Sequence, residues 1–417
     1  MKKIFIVILF LLVMLSTTFI PYQTGVEAEH YMANADKMLP SWLNLKPLDH
    51  RYERGWWKSY AQSHFETHQP WIPQITLVHH IDHGFLPIRP AKIETFSPSE
   101  DNTDLFRTQT FIQLNGQSVT QITVPPRKLS LGDKEIEWKA WNGEATMQKN
   151  LKTLDAQFHI PEIHYLSHIF QVHGHQLHFY THTQQQSEKK AIKGNARLEL
   201  KEVEWVSQQL RLKGIDLKVD DMSIEDTNFL SAHVSLMINI VQRGQEDYEQ
   251  GQCEMELKHI NLPILKKMSE AWLTYSPEKH LETWASLFFY LSSLAKDVQE
   301  LKLTHLSLQT RAGTLQGQGI IKITDRGGAQ NLFSLLNGLE AEIKLSVPKN
   351  LLMMALSDNL TTPNEAVRTE QFLNTWLNQG MLIKTQEEMY HTRLQLKEGN
   401  LQVNGKTFSF AALWQSK

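Results

Sequence analysis

Histidine supplies most of the side chains that could do chemistry, with nineteen in the 417 residues. The densest set is His159, His164, His168, His173, His175, His178 and His182. Clustered imidazoles are the raw material of a zinc site, which needs three or four ligands converging on one point. If residues 170–183 are extended, His173 and His175 face one side, and His178 and His182 face the other. No Asp or Glu lies in that stretch, so a four-ligand site needs partners from elsewhere in the chain. A turn at His173-Gly174-His175 would bring three imidazoles together, which makes His173, His175 and His178 the candidate ligands. Their spacing reads better as solvated histidines on a sheet face, and no metal or other cofactor is expected. An exported metal-dependent hydrolase built on this segment is the rival reading.

The other reactive residues carry less. His79, Ile81, His83 and Phe85 share one face of an extended segment, with His80 and Asp82 on the opposite face. The zinc-peptidase pattern His-Glu-x-x-His does not occur. Ser59 lacks the Gly-x-Ser-x-Gly elbow that exposes a nucleophile. Cys253 sits beside Glu254, whose charge raises a thiol pKa and so opposes thiolate chemistry. Gly317-Gln318-Gly319 and Arg326-Gly327-Gly328 lack the lysine and spacing of a phosphate loop, and read as strand bends or turns. Asp220-Asp221 and Glu387-Glu388 read as solvated carboxylates beside turns. No catalytic residue is assigned, and the chain is read as non-enzymatic.

Period-two alternation dominates the elements that would position these residues. It marks strands at Thr76–Ile81, and at Thr110–Leu114 and Ser118–Val124 around the Asn115-Gly116 turn. It recurs at Ile215–Val219, Val234–Ile240, Met255–Leu257, Leu301–Leu308, Ile321–Ile323 and Ala341–Val347, and in a last hairpin at Leu394–Val403. Leu198 and Leu200 have the opposite parity to Val203 and Trp205, which predicts a bulge or register change between them. Helical stripes appear at Glu27–Met38, Pro263–Tyr275, Ser276–Lys296, Lys349–Asp358 and Asn364–Gln379. The expected fold class is α+β: an N-terminal transmembrane helix, then a large twisted antiparallel β-sheet with helices packed on it. The expected divisions are 1–24 (anchor or signal segment), 25–74 (a tryptophan-rich segment) and 75–417 (the sheet body). That body resembles two related halves, about 75–297 and 298–417.

The first segment sets the compartment. Lys2 and Lys3 precede an apolar run from Ile4 to Ile20, closed by Pro21. Its seventeen residues would span roughly 25 Å as a helix, just under the ~30 Å hydrocarbon core of a bilayer. The run is longer than an ordinary signal core of about 7–15 residues, so a retained anchor is favoured over cleavage after Val26-Glu27-Ala28. The basic end stays cytoplasmic and the remainder is exported. With 42 Lys+Arg against 45 Asp+Glu, the net charge of −3 argues against a nucleic-acid partner. One cysteine rules out an intrachain disulfide and a multi-cysteine metal site.

Several fragments, in order along the chain, resemble the YdgA-like family of bacterial envelope proteins, a domain of unknown function numbered 945. They are Gly25-x-Glu27-x-x-x-Tyr31; Tyr52-Glu53-Arg54-Gly55-Trp56-Trp57-Lys58-Ser59; His83-Gly84; and Tyr390 with Glu398-Gly399-Asn400 and Asn404-Gly405-Lys406. At Phe85 the chain departs from the family's His-Gly-Pro. The resemblance implies a single-pass inner-membrane protein with its C-terminal body in the periplasm, and it supplies no reaction. The expected partners are the membrane, a lipid or envelope protein held on the sheet, and a second copy of the chain. The tryptophans of residues 42–71 are a further candidate docking surface.

Overall fold

The computed structural model describes residues 26, 29, 45–67, 74–83, 91–98, 104–113, 115–131, 134–149, 152–167, 171–186, 191–206, 209–225, 228–243, 246–273, 290, 299–311, 313–323, 339–356, 363–385, 388–397 and 400–408. The chain divides into two compact units, Met1–His182 and Thr183–Lys417.

The first unit is an antiparallel meander. It comprises β1 (Leu45–Glu53), β2 (Lys58–Thr67), β3 (Gln74–Asp82), β4 (Ala91–Pro98), β5 (Asp104–Ile112), β6 (Ser118–Val124), β7 (Arg127–Leu131), β8 (Lys134–Trp138), β9 (Trp141–Met147), β10 (Thr153–Leu166) and the start of β11 (Gln171–Gln186). Neighbours pair in sequence from β1 to β6, and β6 then pairs with β9. β7 and β8 form a hairpin, and β8 and β9 lie end to end along β10, at Leu166–Ile163 and His159–Leu154 respectively. The predicted Asn115-Gly116 turn is present, with Gly116 at φ +78°. Along β2 the alternation is plain: Ser59, Ala61, Ser63 and Phe65 are buried, and the residues between them are half-exposed.

The second unit runs β12 (Ala191–Trp205), β13 (Leu210–Glu225), β14 (Phe229–Arg243), β15 (Glu246–Asn261), α1 (Leu262–Leu273), β16 (Gln299–Thr310), β17 (Gly313–Ile323), β18 (Leu339–Pro348), α2 (Lys349–Leu356), α3 (Pro363–Gln379), β19 (Ile383–Lys384), β20 (Met389–Lys397), β21 (Asn400–Val403) and β22 (Lys406–Phe408). Consecutive strands pair antiparallel from β12 to β18, then β18 pairs with β20, β20 with β21 and β21 with β22.

The expected α+β class is overturned. Strands of up to 16 residues make up most of the described chain, and the described helices α1, α2 and α3 fall where the stripes predict without forming a layer on the sheet. α1 touches chiefly the strand that it follows, and α2 touches both β18 and α3. Leu373, Trp376 and Leu377 of α3 pack with Leu352, Met353, Leu382 and Tyr390 into one small buried cluster. The physical reason is that short apolar stripes at strand ends are satisfied locally, while the sheet extends through segments whose alternation is masked by polar residues, including 45–67 in the tryptophan-rich region. The expected transmembrane helix falls on residues outside the described ones, as do the stripe at 276–296, apart from Tyr290, and that at 27–38, apart from Glu29. Among the described residues no helix is long and apolar enough to cross a membrane.

The predicted bulge between Leu200 and Val203 is also corrected. Register runs unbroken from Leu198↔Leu217 to Trp205↔Leu210, and the shift lies at Gly194/Ala196 instead. The parity change falls beside Gly214, whose φ of +62° turns the pleat without adding a residue. The same parity signal between Leu303 and Leu306 does mark a register shift, with Leu303 opposite Gly319 and Leu306 opposite Gly317. Gly317-Gln318-Gly319 thus sits inside β17, opposite a bulge in β16, and not in a hairpin turn.

Candidate functional site

The histidine segment is the first place to look for a site. Rings stack between β10 and β11 at His159–His178 (4.2 Å) and His164–His173 (4.3 Å). Phe158–Phe179 and His182–Asp155 obey the same antiparallel register, each step along β10 matching a step back along β11. His173 and His175 share a face with His164 and Glu162, and His178 takes the other face with His159, as alternation predicts. What the sequence did not reveal is Glu162, because it arrives from the neighbouring strand. Glu162 accepts from His164 at 2.7 Å and from the Lys139 ammonium, and its carboxyl is pulled down to about 2 by Lys139 first and His164 second. Stacked rings direct their nitrogens side by side instead of toward a shared point. Among the described residues no group of three His, Cys, Asp or Glu side chains is placed to hold a metal ion. His168 lies outside the described residues.

Cys253 is half-buried, and burial, more than Glu254, pushes its thiol up. Neither cause favours a thiolate.

The second place is the β1–β2 tip, where residues distant in sequence converge. His83 is fully buried and Ser59 is 6% exposed. The ring Nδ1 lies 3.1 Å from the Trp56 carbonyl, which can only accept, so Nδ1 carries the proton. Nε2 is then the acceptor for the Ser59 hydroxyl at 2.8 Å. The His83 main-chain N–H donates to the Trp57 carbonyl at 2.9 Å. The Tyr52 phenol also hydrogen-bonds Ser59, and burial is the main reason that its pKa is raised. Arg54 reaches Glu29 at 3.0 Å.

A serine donating to a histidine is the geometry of a nucleophile and its base. Here, however, the pair repeats a local theme: His50–Ser63 (2.8 Å), His64–Thr76 (3.0 Å) and His79–Thr95 (2.8 Å) are histidine–hydroxyl bonds between neighbouring strands. His83 differs in lying just past the end of β3, where it grips two successive carbonyls of the tip. The arrangement clamps a loop whose Trp56 and Trp57 stand 50% and 47% exposed. Beside the clamp lies a cleft of about 660 Å³, lined by Arg54, Lys58, Ser59, His80, Lys92 and Glu94 among others.

His79 gives this region a pH signature. Burial first, and the nearby His50 second, push its pKa from 6.5 to about 4. The unfolded chain therefore takes the proton first as pH falls. Stability held above pH 6.5 should be lost progressively toward pH 4, at about 1.4 kcal/mol per unit. Denaturation midpoints should drop between pH 7 and 5, and His79→Gln should flatten that slope; an equal slope in the variant would assign it to other groups.

At the other end of the chain, Asn404 (φ +50°) and Gly405 (φ +82°) form the expected turn. Asn404 donates to the Gly380 and Met381 carbonyls at 2.9 and 3.0 Å and accepts from the Arg393 N–H at 2.8 Å. It staples the β21–β22 turn to the chain leaving α3. Tyr390 is buried beneath the same helix. Gly25, Glu27, Tyr31, Gly84 and Gly399 lie outside the described residues.

A family model described as a bacterial protein of unknown function, DUF945, matches residues 1–411. The chain belongs to the DUF945 family. No curated protein and no solved structure matches it. Within this DUF945 chain, the described residues that carried the resemblance fall in two places: Tyr52, Arg54, Gly55, Ser59 and His83 at the β1–β2 tip, and Tyr390, Asn404 and Gly405 around β20–β22.

A broad apolar surface lies in the second unit. Cross-strand register lines up Ala196, Val219, Val234, Met255, Leu303, Gly319, Ile343, Leu394 and Val403 as one continuous row. A parallel row holds Leu198, Leu217, Leu236, Cys253, Leu306, Gly317 and Leu345. Apart from the buried Val403, these residues are half-exposed. The bulge between Leu303 and Leu306 keeps both on this face. The opposite face is charged, with rows such as Lys258–Glu300–Lys322 (2.8 and 3.1 Å) and Arg197–Asp216 (2.9 Å).

Proposed function

We propose that this DUF945 protein is a non-enzymatic component of the cell envelope, held at the inner membrane by its apolar leader with its body in the periplasm. The apolar face of strands β12–β21 is its binding surface, and the acyl chains of lipid are the ligand that fits it. One observation carries this reading: apolar rows run unbroken across as many as nine strands, yet stay half-exposed. Such a face far exceeds the scattered apolar residues that an ordinary soluble surface shows. An acyl chain suits it because a row of branched side chains, flattened at Gly317 and Gly319, offers contact without hydrogen-bond demands. The export of the body is supported by Lys2 and Lys3 before the apolar run, and by the near absence of cysteine.

The test is lipid analysis of protein extracted in mild detergent. Stoichiometric lipid is expected with the wild type, and at least tenfold less with the Leu236→Asp/Leu306→Asp double variant. Circular dichroism checks that the variant keeps its strand signal, and Leu236→Ser/Leu306→Ser serves if it does not. Wild-type protein free of lipid would overturn the ligand assignment.

A further inference from the structure

The clamp at the β1–β2 tip holds an exposed aromatic pair in a fixed place, and the Glu29–Arg54 ion pair shows where that place is. Glu29 is only nine residues beyond Ile20, the end of the apolar run. Even fully extended, nine residues reach about 30 Å. Because the Arg54 guanidinium is 3.0 Å from the Glu29 carboxylate, the tip lies within about 40 Å of wherever the leader ends, the two side chains adding about 10 Å. At the tip Arg51, Arg54 and Lys58 stand against two carboxylates, Glu53 beside Arg51 and Glu29 beside Arg54. Trp56 and Trp57 are half-exposed, and His83 holds both of their carbonyls, so the loop does not need to reorganise to present them.

We infer that this tip is a second membrane contact. Trp56 and Trp57 insert at the headgroup level of the bilayer that holds the leader, and Arg54 and Lys58 engage anionic phospholipid phosphates. Indole suits this position because its ring is apolar and its N–H is polar, which places tryptophan at bilayer interfaces. Cations close to an anionic surface add about 1 kcal/mol each. Two attachments, the leader and the tip, would fix the orientation of the first unit against the membrane where one would not. This inference rests on the membrane-anchored reading proposed above.

The experiment uses the full chain reconstituted in phosphatidylcholine vesicles containing about a third phosphatidylglycerol. Acyl-brominated lipid quenches tryptophans that enter the bilayer, and aqueous iodide quenches those that do not. The emission lost in the Trp56→Phe/Trp57→Phe double variant isolates the tip. That component should be quenched at least twofold by brominated lipid, be shielded from iodide, and lose most of its contact when phosphatidylglycerol is omitted. Arg54→Gln should weaken the contact severalfold without changing retention of the protein through a carbonate wash. If the wash leaves the protein in the membrane while iodide quenches the tip freely, the anchor stands and the tip contact is refuted. Shielding from iodide without quenching by brominated lipid would assign the tip to a protein partner and refute it equally. Release by carbonate would remove the anchor and the inference together.

Discussion

His83→Ala is expected to lower stability by about 4 kcal/mol and to loosen the Trp56–Trp57 loop. The ring is fully buried, so its removal leaves a cavity in the core of the β1–β4 region. It also removes the ring's bonds to the buried Ser59 hydroxyl, which keeps the Tyr52 phenol, and to the part-buried Trp56 carbonyl, at about 1 kcal/mol each. The main-chain bond from residue 83 to Trp57 survives, which keeps the estimate below the sum of all losses. A denaturation midpoint followed by tryptophan emission measures the stability. Trypsin cleavage after Arg54 and Lys58 reports the loop, and should speed up at least tenfold. Ser59→Ala removes the bonds to His83 and Tyr52 and should cost about 2 kcal/mol. Equal losses in the two variants would mean that the ring's packing and its bond to the Trp56 carbonyl contribute nothing.

This clamp marks the limit of what the sequence could reveal. Alternation placed His79, Ile81 and His83 on one face, and all three are buried. Alternation is a local signal, however, and says nothing about which strand stands next door. Nothing in the sequence links Ser59 to His83, 24 residues away, and their contact arises because β2 and β3 pair in one particular register. Glu162 shows the same blind spot from the other side. The histidines of β11 were read as lacking a carboxylate, and the carboxylate lay on β10.

The fold class failed for a related reason. Val234–Ile240 and Ala341–Val347 were legible because one face is apolar and the other polar. β9 and β10 were not, because Asn142, Gly143, Glu144, Pro161 and Glu162 interrupt any simple alternation. Strands read as loops, together with helices weighted by their apolar stripes, turned a β-dominated chain into an expected α+β one. The parity changes at Leu200/Val203 and Leu303/Leu306 look alike in sequence and have different causes. A positive-φ glycine accounts for one and an extra residue for the other, which only register can distinguish.

Gly143→Val is expected to cost at least about 4 kcal/mol, enough to unfold much of the first unit at ordinary temperature. β9 is enclosed by β6 on one edge and β10 on the other, and Gly143 faces Ile122 and Phe158 across them. A Cβ there would overlap the Phe158 ring and stand 2.8 Å from the Gln157 carbonyl oxygen. The ring has little freedom to yield, because it stacks on Phe179 and meets the edge of Trp141, both at 6.0 Å between centroids. The carbonyl cannot yield either without disturbing the β9–β10 ladder. Gly405 provides the contrast. Its φ is +82° and nothing lies within 4 Å of a would-be Cβ, so Gly405→Ala should cost only the conformational penalty of about 1 kcal/mol. Comparing Gly143→Ala with Gly405→Ala by thermal unfolding separates steric from conformational demand. A Gly143→Ala protein as stable as Gly405→Ala would mean that Phe158 moves aside readily, and that this aromatic stack is not what holds β9 against β10.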